Sequence, residues 1–109
     1  MSIEQGDIVD VISIDKDTGH VILTISDHLE WSDTARHQMA LQEKLNKYLA
    51  FVESGEIILR YPDAKDRPIT IKVVFKYNPD LEGWRFLARA KKIVESAGFS
   101  LRHEVWSIA

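Results

Sequence analysis

The chain has no cysteine in its 109 residues. That excludes disulfides, thiolate metal sites and cysteine nucleophiles. Proline and glycine are scarce, at 3 and 5 residues, and Gly19, Gly55 and Gly98 each stand where a turn or helix end belongs. No glycine-rich phosphate loop can be assembled from them. Basic excess is also missing: 14 Lys and Arg stand against 17 Asp and Glu, a net charge of -3, unlike a dedicated nucleic-acid binder. No apolar run approaches the roughly 20 residues of a membrane span. The N-terminal stretch Met1 to Asp7 is polar and acidic, without the basic and apolar regions of a signal peptide. The expectation is a cytoplasmic protein that binds neither nucleic acid nor membrane.

What is present is the composition of a folded globule. Apolar residues make up 45%, too many for a disordered chain. A chain this long buries roughly 65% of its unfolded surface, enough for one core without staples. Residues 1–109 are therefore expected to form a single domain.

Hydrophobic pattern sets the expected elements. Ile8 to Ile14 and Val21 to Ser26 are rich in β-branched residues, and Asp15-Lys16-Asp17-Thr18-Gly19 between them reads as a hairpin turn. Ser32 stands as a cap, with Asp33 in the first turn, for a helix running to about Ser54. Leu41, Leu45, Tyr48, Leu49 and Val52 make its apolar face, with Lys44 on the solvated side, and Gly55 follows as a left-handed C-cap. Glu56 to Tyr61 and Ile69 to Tyr77 are expected as a second hairpin. Asp80 caps a second helix, whose stripe is Phe86, Leu87, Ala90, Ile93, Val94 and Ala97, and Ser100 to Ser107 is a last strand. The order ββαββαβ predicts an α+β fold: a two-layer α/β sandwich whose mainly antiparallel sheet of about five strands carries both helices on one face.

The densest cluster of chemistry-bearing residues is Asp27-His28-Leu29-Glu30-Trp31, between the first hairpin and the first helix. Read as a site, Asp27, His28 and Glu30 surround a partner or ligand and Trp31 is a flat anchor. Read as structure, Asp27 ties turn amides and Trp31 rests on the stem of Arg36 as a weak staple. The structural account carries more weight, because such junctions need these groups in any case. A metal site would draw on His28, His37, Glu30 and Asp33, but the nine-residue histidine spacing is not that of a helical pair and no HExxH is present. No catalytic, cofactor or metal residues are assigned. His20 is expected to be solvated and His103 partly buried with one hydrogen-bond partner. Arg85, Arg89 and Lys92 form a basic stripe that reads as a solvated face, or as a surface for an acidic partner. Trp106, with Val74 and Ile22, would form an apolar patch on the open side of the sheet.

Several segments together resemble a family of small bacterial proteins of unknown function. They are Ile8-Val9-Asp10 through Ile14-Asp15, Thr18-Gly19, Leu23 through Trp31, Leu45-Asn46 with Tyr48-Leu49, Glu53 through Glu56, Tyr61-Pro62, and Phe75-Lys76-Tyr77. The resemblance spans about residues 8 to 106. It implies a bacterial, cytosolic, single-domain protein and transfers no activity.

The reading that follows is a non-enzymatic module that binds another protein. A toxin-neutralising immunity protein is one form, with Asp27, Glu30 and Asp33 facing a basic partner. The first alternative is a small-ligand binder or enzyme with its pocket at the Asp27–Trp31 junction, on which His28 and His103 would converge. The second is a structural homodimer through the open sheet face.

Overall fold

The structure, a computed structural model, describes residues 11–106. The first expected strand residues, Ile8 to Asp10, and the end of the last strand at Ser107 lie outside these. The elements are β1 (Val11–Ile14), β2 (Val21–Asp27), α1 (Thr34–Glu53), α2 (Glu56–Arg60), a 3-10 turn (Pro62–Ala64), β3 (Ile69–Phe75), α3 (Leu81–Ser96) and β4 (Ser100–Val105).

The first hairpin is as expected. β1 and β2 pair antiparallel, with Ile14 opposite Val21. Gly19 takes φ 73°, the positive region that suits glycine in such a turn. The second expected hairpin is absent. Glu56–Arg60 is a short helix, entered through Gly55 at φ 82° and closed by an Arg60–Glu56 pair at 3.2 Å. Five residues, three of them the apolar run Ile57-Ile58-Leu59, do not distinguish strand from helix by period alone. Their burial decides it: Ile57 is buried while Leu59 is 84% exposed, so there is one inward residue per turn and no alternation.

This one change rearranges the sheet. β3 has no antiparallel neighbour and instead lies parallel to β2, with Asp27 beside Phe75. β4 adds parallel to β3. Among the described residues the result is a four-stranded mixed sheet in the order β1-β2-β3-β4, not a five-stranded, mainly antiparallel one. Parallel neighbours need a crossover, supplied by α1 with α2 and then by α3.

The helices share one face of the sheet. Val21, Leu23 and Ile25 of β2 and Ile71, Val73 and Phe75 of β3 form one core with Leu41, Leu45 and Tyr48 of α1 and Phe86, Leu87 and Val94 of α3. Two expected stripe residues depart from it: Ile93 is 63% exposed and Ala97 is exposed. The α3 stripe is narrower than its composition suggests, because Ile93 lines an open groove between α1 and α3 and Ala97 lies just past the end of the helix. Lys44 departs in the other direction. It is fully buried on the core side of α1, with Nζ 5.6 Å from the Tyr48 ring centroid. Its aliphatic stem packs as an apolar side chain would.

On the opposite face of the sheet, the expected patch is smaller than its sequence suggests. Ile22 is buried and Val74 half-buried, and Trp106 alone of the three is strongly exposed.

Candidate functional site

β2 and β3 end side by side, and the backbone N–H of Lys76 donates to Asp27 O as the strands run out. The chain then crosses from Asp27 to α1 in a six-residue loop, residues 28–33. Asp27 holds both ends of that loop. Its Oδ1 accepts the backbone N–H of Leu29 at 3.1 Å, and its Oδ2 lies 2.5 Å from Nε2 of His37 in the first turn of α1. His37 Nδ1–H donates to Glu30 O at 3.1 Å. Both residues are 2% exposed.

The proton inventory follows from these partners. Glu30 O can only accept, so Nδ1 carries a proton. An ionised Asp27 also only accepts, so Nε2 must then carry one too, and the pair is carboxylate and imidazolium. Either way one proton lies between Asp27 and His37, and both ring nitrogens are committed. The imidazole is thus a structural bolt with no lone pair left to act as a base on a bound molecule.

Trp31 closes the cluster. Its indole stacks on the His37 ring at 3.6 Å between centroids and 19° between planes, and Nε1 donates to Tyr77 O at 3.3 Å. The staple on Arg36 is not formed; Arg36 is exposed and His37 takes its place. The helix cap also moves by one residue: Asp33, not Ser32, accepts the Arg36 N–H. Beneath the indole lies Gly83 of α3. A Cβ there would come within 2.9 Å of Trp31 Cη2 and Cζ3 and of Pro79 Cβ, so glycine is required by close approach.

α3 is docked to the same corner. Asp80 caps it by accepting Gly83 N–H on Oδ1 at 2.8 Å, and accepts the Thr34 hydroxyl on Oδ2 at 2.5 Å. The Thr34 hydroxyl, followed by the Gly83 amide, holds the Asp80 carboxyl below its ordinary value; the charge of nearby His37 adds to this.

The four expected site residues therefore divide. Asp27 is buried and Trp31 half-buried, both inside the scaffold, while His28 and Glu30 are exposed on the loop it holds. His28, Glu30, Asp33, Arg36, His37 and Tyr77 line an open depression of about 790 Å³. A second groove of about 290 Å³ runs from His28 past Ser26, Val74 and Lys76 to Trp106. His103 belongs to neither. It is exposed beside Trp84 in a third cleft, so the two imidazoles do not converge. Among the described residues, no three His, Asp or Glu side chains are grouped to hold a metal.

His37, which the sequence suggests only as a metal ligand, is the central residue of this cluster. A signal for it existed: His37, Leu41, Lys44 and Tyr48 fall at four-, three- and four-residue steps, the period of the buried stripe.

The architecture is that of a small α/β protein with its helices on one face of a mixed sheet and a buried Asp–His pair at the strand ends. The family follows from the sequence: a family model described as a family of unknown function, DUF6572, matches residues 1–107, and the chain belongs to that family. No curated protein and no solved structure matches the chain. No helix among the described residues is long and apolar enough to cross a membrane.

Proposed function

We propose that this chain is a non-enzymatic protein-interaction module of the bacterial cytoplasm, with its partner surface at the strand ends. One observation carries the reading: Trp106 is 68% exposed yet held in place. Its backbone N–H donates to Phe75 O at 2.7 Å, and its Nε1 donates to Glu104 Oε2 at 3.3 Å. An indole fixed in the open costs little further entropy on binding, and tryptophan is enriched where binding energy concentrates. His28 joins it through the groove, and Glu30 and Asp33 extend the surface beyond. The buried Asp27–His37 pair supports this reading as the brace of a presented loop. Asp27 itself is withdrawn from the contact surface.

A toxin-neutralising immunity protein is one form of such a module. Glu30 and Asp33 would then face a basic surface, where complementary charge speeds association.

The test is affinity capture from the source bacterium's lysate. Wild type is compared with a Glu30→Ala, Trp106→Ala double variant and with Met39→Ala, an exposed control on α1. One defined partner should be held by wild type and control and lost by the double variant. Equal capture by all three, or none by wild type, refutes the surface. For the immunity form, the captured partner expressed alone should arrest growth, and co-expression of this chain should relieve it.

A further inference from the structure

β4 is the last strand of the sheet, and among the described residues no strand pairs with its outer edge. Such an edge is a template for another strand. Edge strands are commonly guarded by charge, and β4 carries Arg102 and Glu104, both exposed. These two are of opposite sign and lie symmetrically about His103. That arrangement invites one partner in particular.

Consider a second copy of β4 running antiparallel, with the two-fold axis at His103. Arg102 of each copy then stands opposite Glu104 of the other, and Leu101 opposite Val105. Residues directly opposite share a face. Two Arg–Glu pairs therefore form on the open face and two apolar pairs on the helix face. A parallel arrangement in register would set like against like instead. Glu104 has room for the new partner. Its carboxylate lies 3.8 Å from Lys72 Nζ, accepts from Trp106, and remains 44% exposed.

α3 is prepared for the same two-fold. Its side toward α1 carries Phe86, Ala90 and Ile93. Its other side carries Trp84, Ala88 and Lys91, which line a cleft of about 420 Å³ with Leu101 and His103 of β4. Trp84 is 38% exposed and Leu81, one turn before it, 64%. Across the two-fold the helices run antiparallel above the seam. The small Ala88 lies at the crossing, and Trp84 of one copy meets Lys91 of the other, a cation–π pairing.

We propose that the chain forms a homodimer by antiparallel pairing of β4 with β4 of a second copy, giving one continuous eight-stranded sheet. Two-fold closure uses the same patch on both copies, as isologous dimers do. The inference shares Glu104 with the partner surface around Trp106 but does not rest on that surface, because Arg102→Glu tests the pairing with the Trp106–Glu104 bond in place; a dimer without a partner and a partner without a dimer are distinguishable results.

The test is light scattering coupled to size exclusion on wild type, Arg102→Glu, Glu104→Arg, and an equimolar mixture of the two variants. Wild type should run at twice its 12.5 kDa chain mass. Each variant alone faces like charge across the axis, and its dimer dissociation constant should rise about tenfold or more. In the mixture every charged pair is opposite again, so the dimer should return. Circular dichroism on each variant confirms that these exposed substitutions leave the fold intact. A wild type that stays monomeric at high concentration overturns the proposal. So do variants that dimerise as well as wild type, or a mixture that stays monomeric.

Discussion

Two tryptophan–histidine pairs among the described residues have opposite consequences. Trp31 and His37 stack face to face, 3.6 Å apart at 19°. Trp84 and His103 meet edge-on, 5.1 Å apart at 63°. In the first pair the histidine is 2% exposed and both its nitrogens are engaged, by Asp27 and by a backbone carbonyl. In the second the histidine is exposed on the edge strand, and the tryptophan lies open beside it. The same two residue types thus act as a brace at the strand ends and as uncovered surface at the sheet edge. Identity does not settle the role; the partners of the polar atoms and the solvent do.

Breaking the brace should produce the largest effect. Asp27→Ala leaves His37 buried without its acid and the Leu29 amide without its acceptor. Removal of one member of a buried pair costs about 3–5 kcal/mol, a large part of the about 5–15 kcal/mol that holds a domain folded. Urea unfolding would show it as a fall in midpoint. A loss below about 1 kcal/mol would mean that the pair is solvated in the folded protein. Gly83→Ala should come next. Alanine gains up to about 1 kcal/mol of helix propensity over glycine. Its Cβ, however, would sit 2.9 Å from two atoms of the rigid Trp31 ring and from Pro79. Overpacking of that kind costs about 1–3 kcal/mol, so the clash wins. A stabilised Gly83→Ala protein would show that the indole is not seated there.

How much of this comparison was legible beforehand depends on the length and completeness of each pattern. The first hairpin, both long helices, the Asp80 cap and the helices' common face follow from periodicity and turn chemistry that span many residues. Glu56–Arg60 did not, because five residues hold barely more than one helical turn. The same five residues decide the strand pairing, since a hairpin dictates antiparallel neighbours and a helix permits parallel ones. At the site, proximity in sequence drew Asp27, His28, Glu30 and Trp31 together, but side-chain direction separated them. Asp27 follows Ile25 and Leu23 on the covered face of β2, and its partner lies ten residues on, in the buried stripe of α1. Lys44 belongs to the solvated side by its charge, but its position in that stripe points inward, and it is buried.

The Thr34–Asp80 link sharpens the comparison through pH. Asp80 is held below its ordinary value, first by the Thr34 hydroxyl. A carboxyl depressed in the folded state contributes stability that is fully present above its unfolded value, about 3.9, and is lost as pH falls through the lower folded value. Thr34→Val removes the hydroxyl while keeping the shape. The variant should lose less stability than wild type as the solution is acidified below about pH 4. The effect should be smaller than that of Gly83→Ala, because the group is at the surface. Parallel acid profiles for the two proteins would assign the acid sensitivity to other carboxylates.

The smallest effect should come from the second pair. His103→Ala removes an exposed ring that touches Trp84 at its edge, and such surface changes usually stay within about 0.5 kcal/mol. Measured in dilute protein, its unfolding midpoint should match wild type, whereas Asp27→Ala should not. The measurement gains force when repeated at high concentration. Position 103 stands opposite itself across the proposed two-fold, so a difference that is absent in dilute protein and grows with concentration would come from the dimer. A large loss already present in dilute protein would instead make His103 a second brace, and the contrast between the two pairs would collapse.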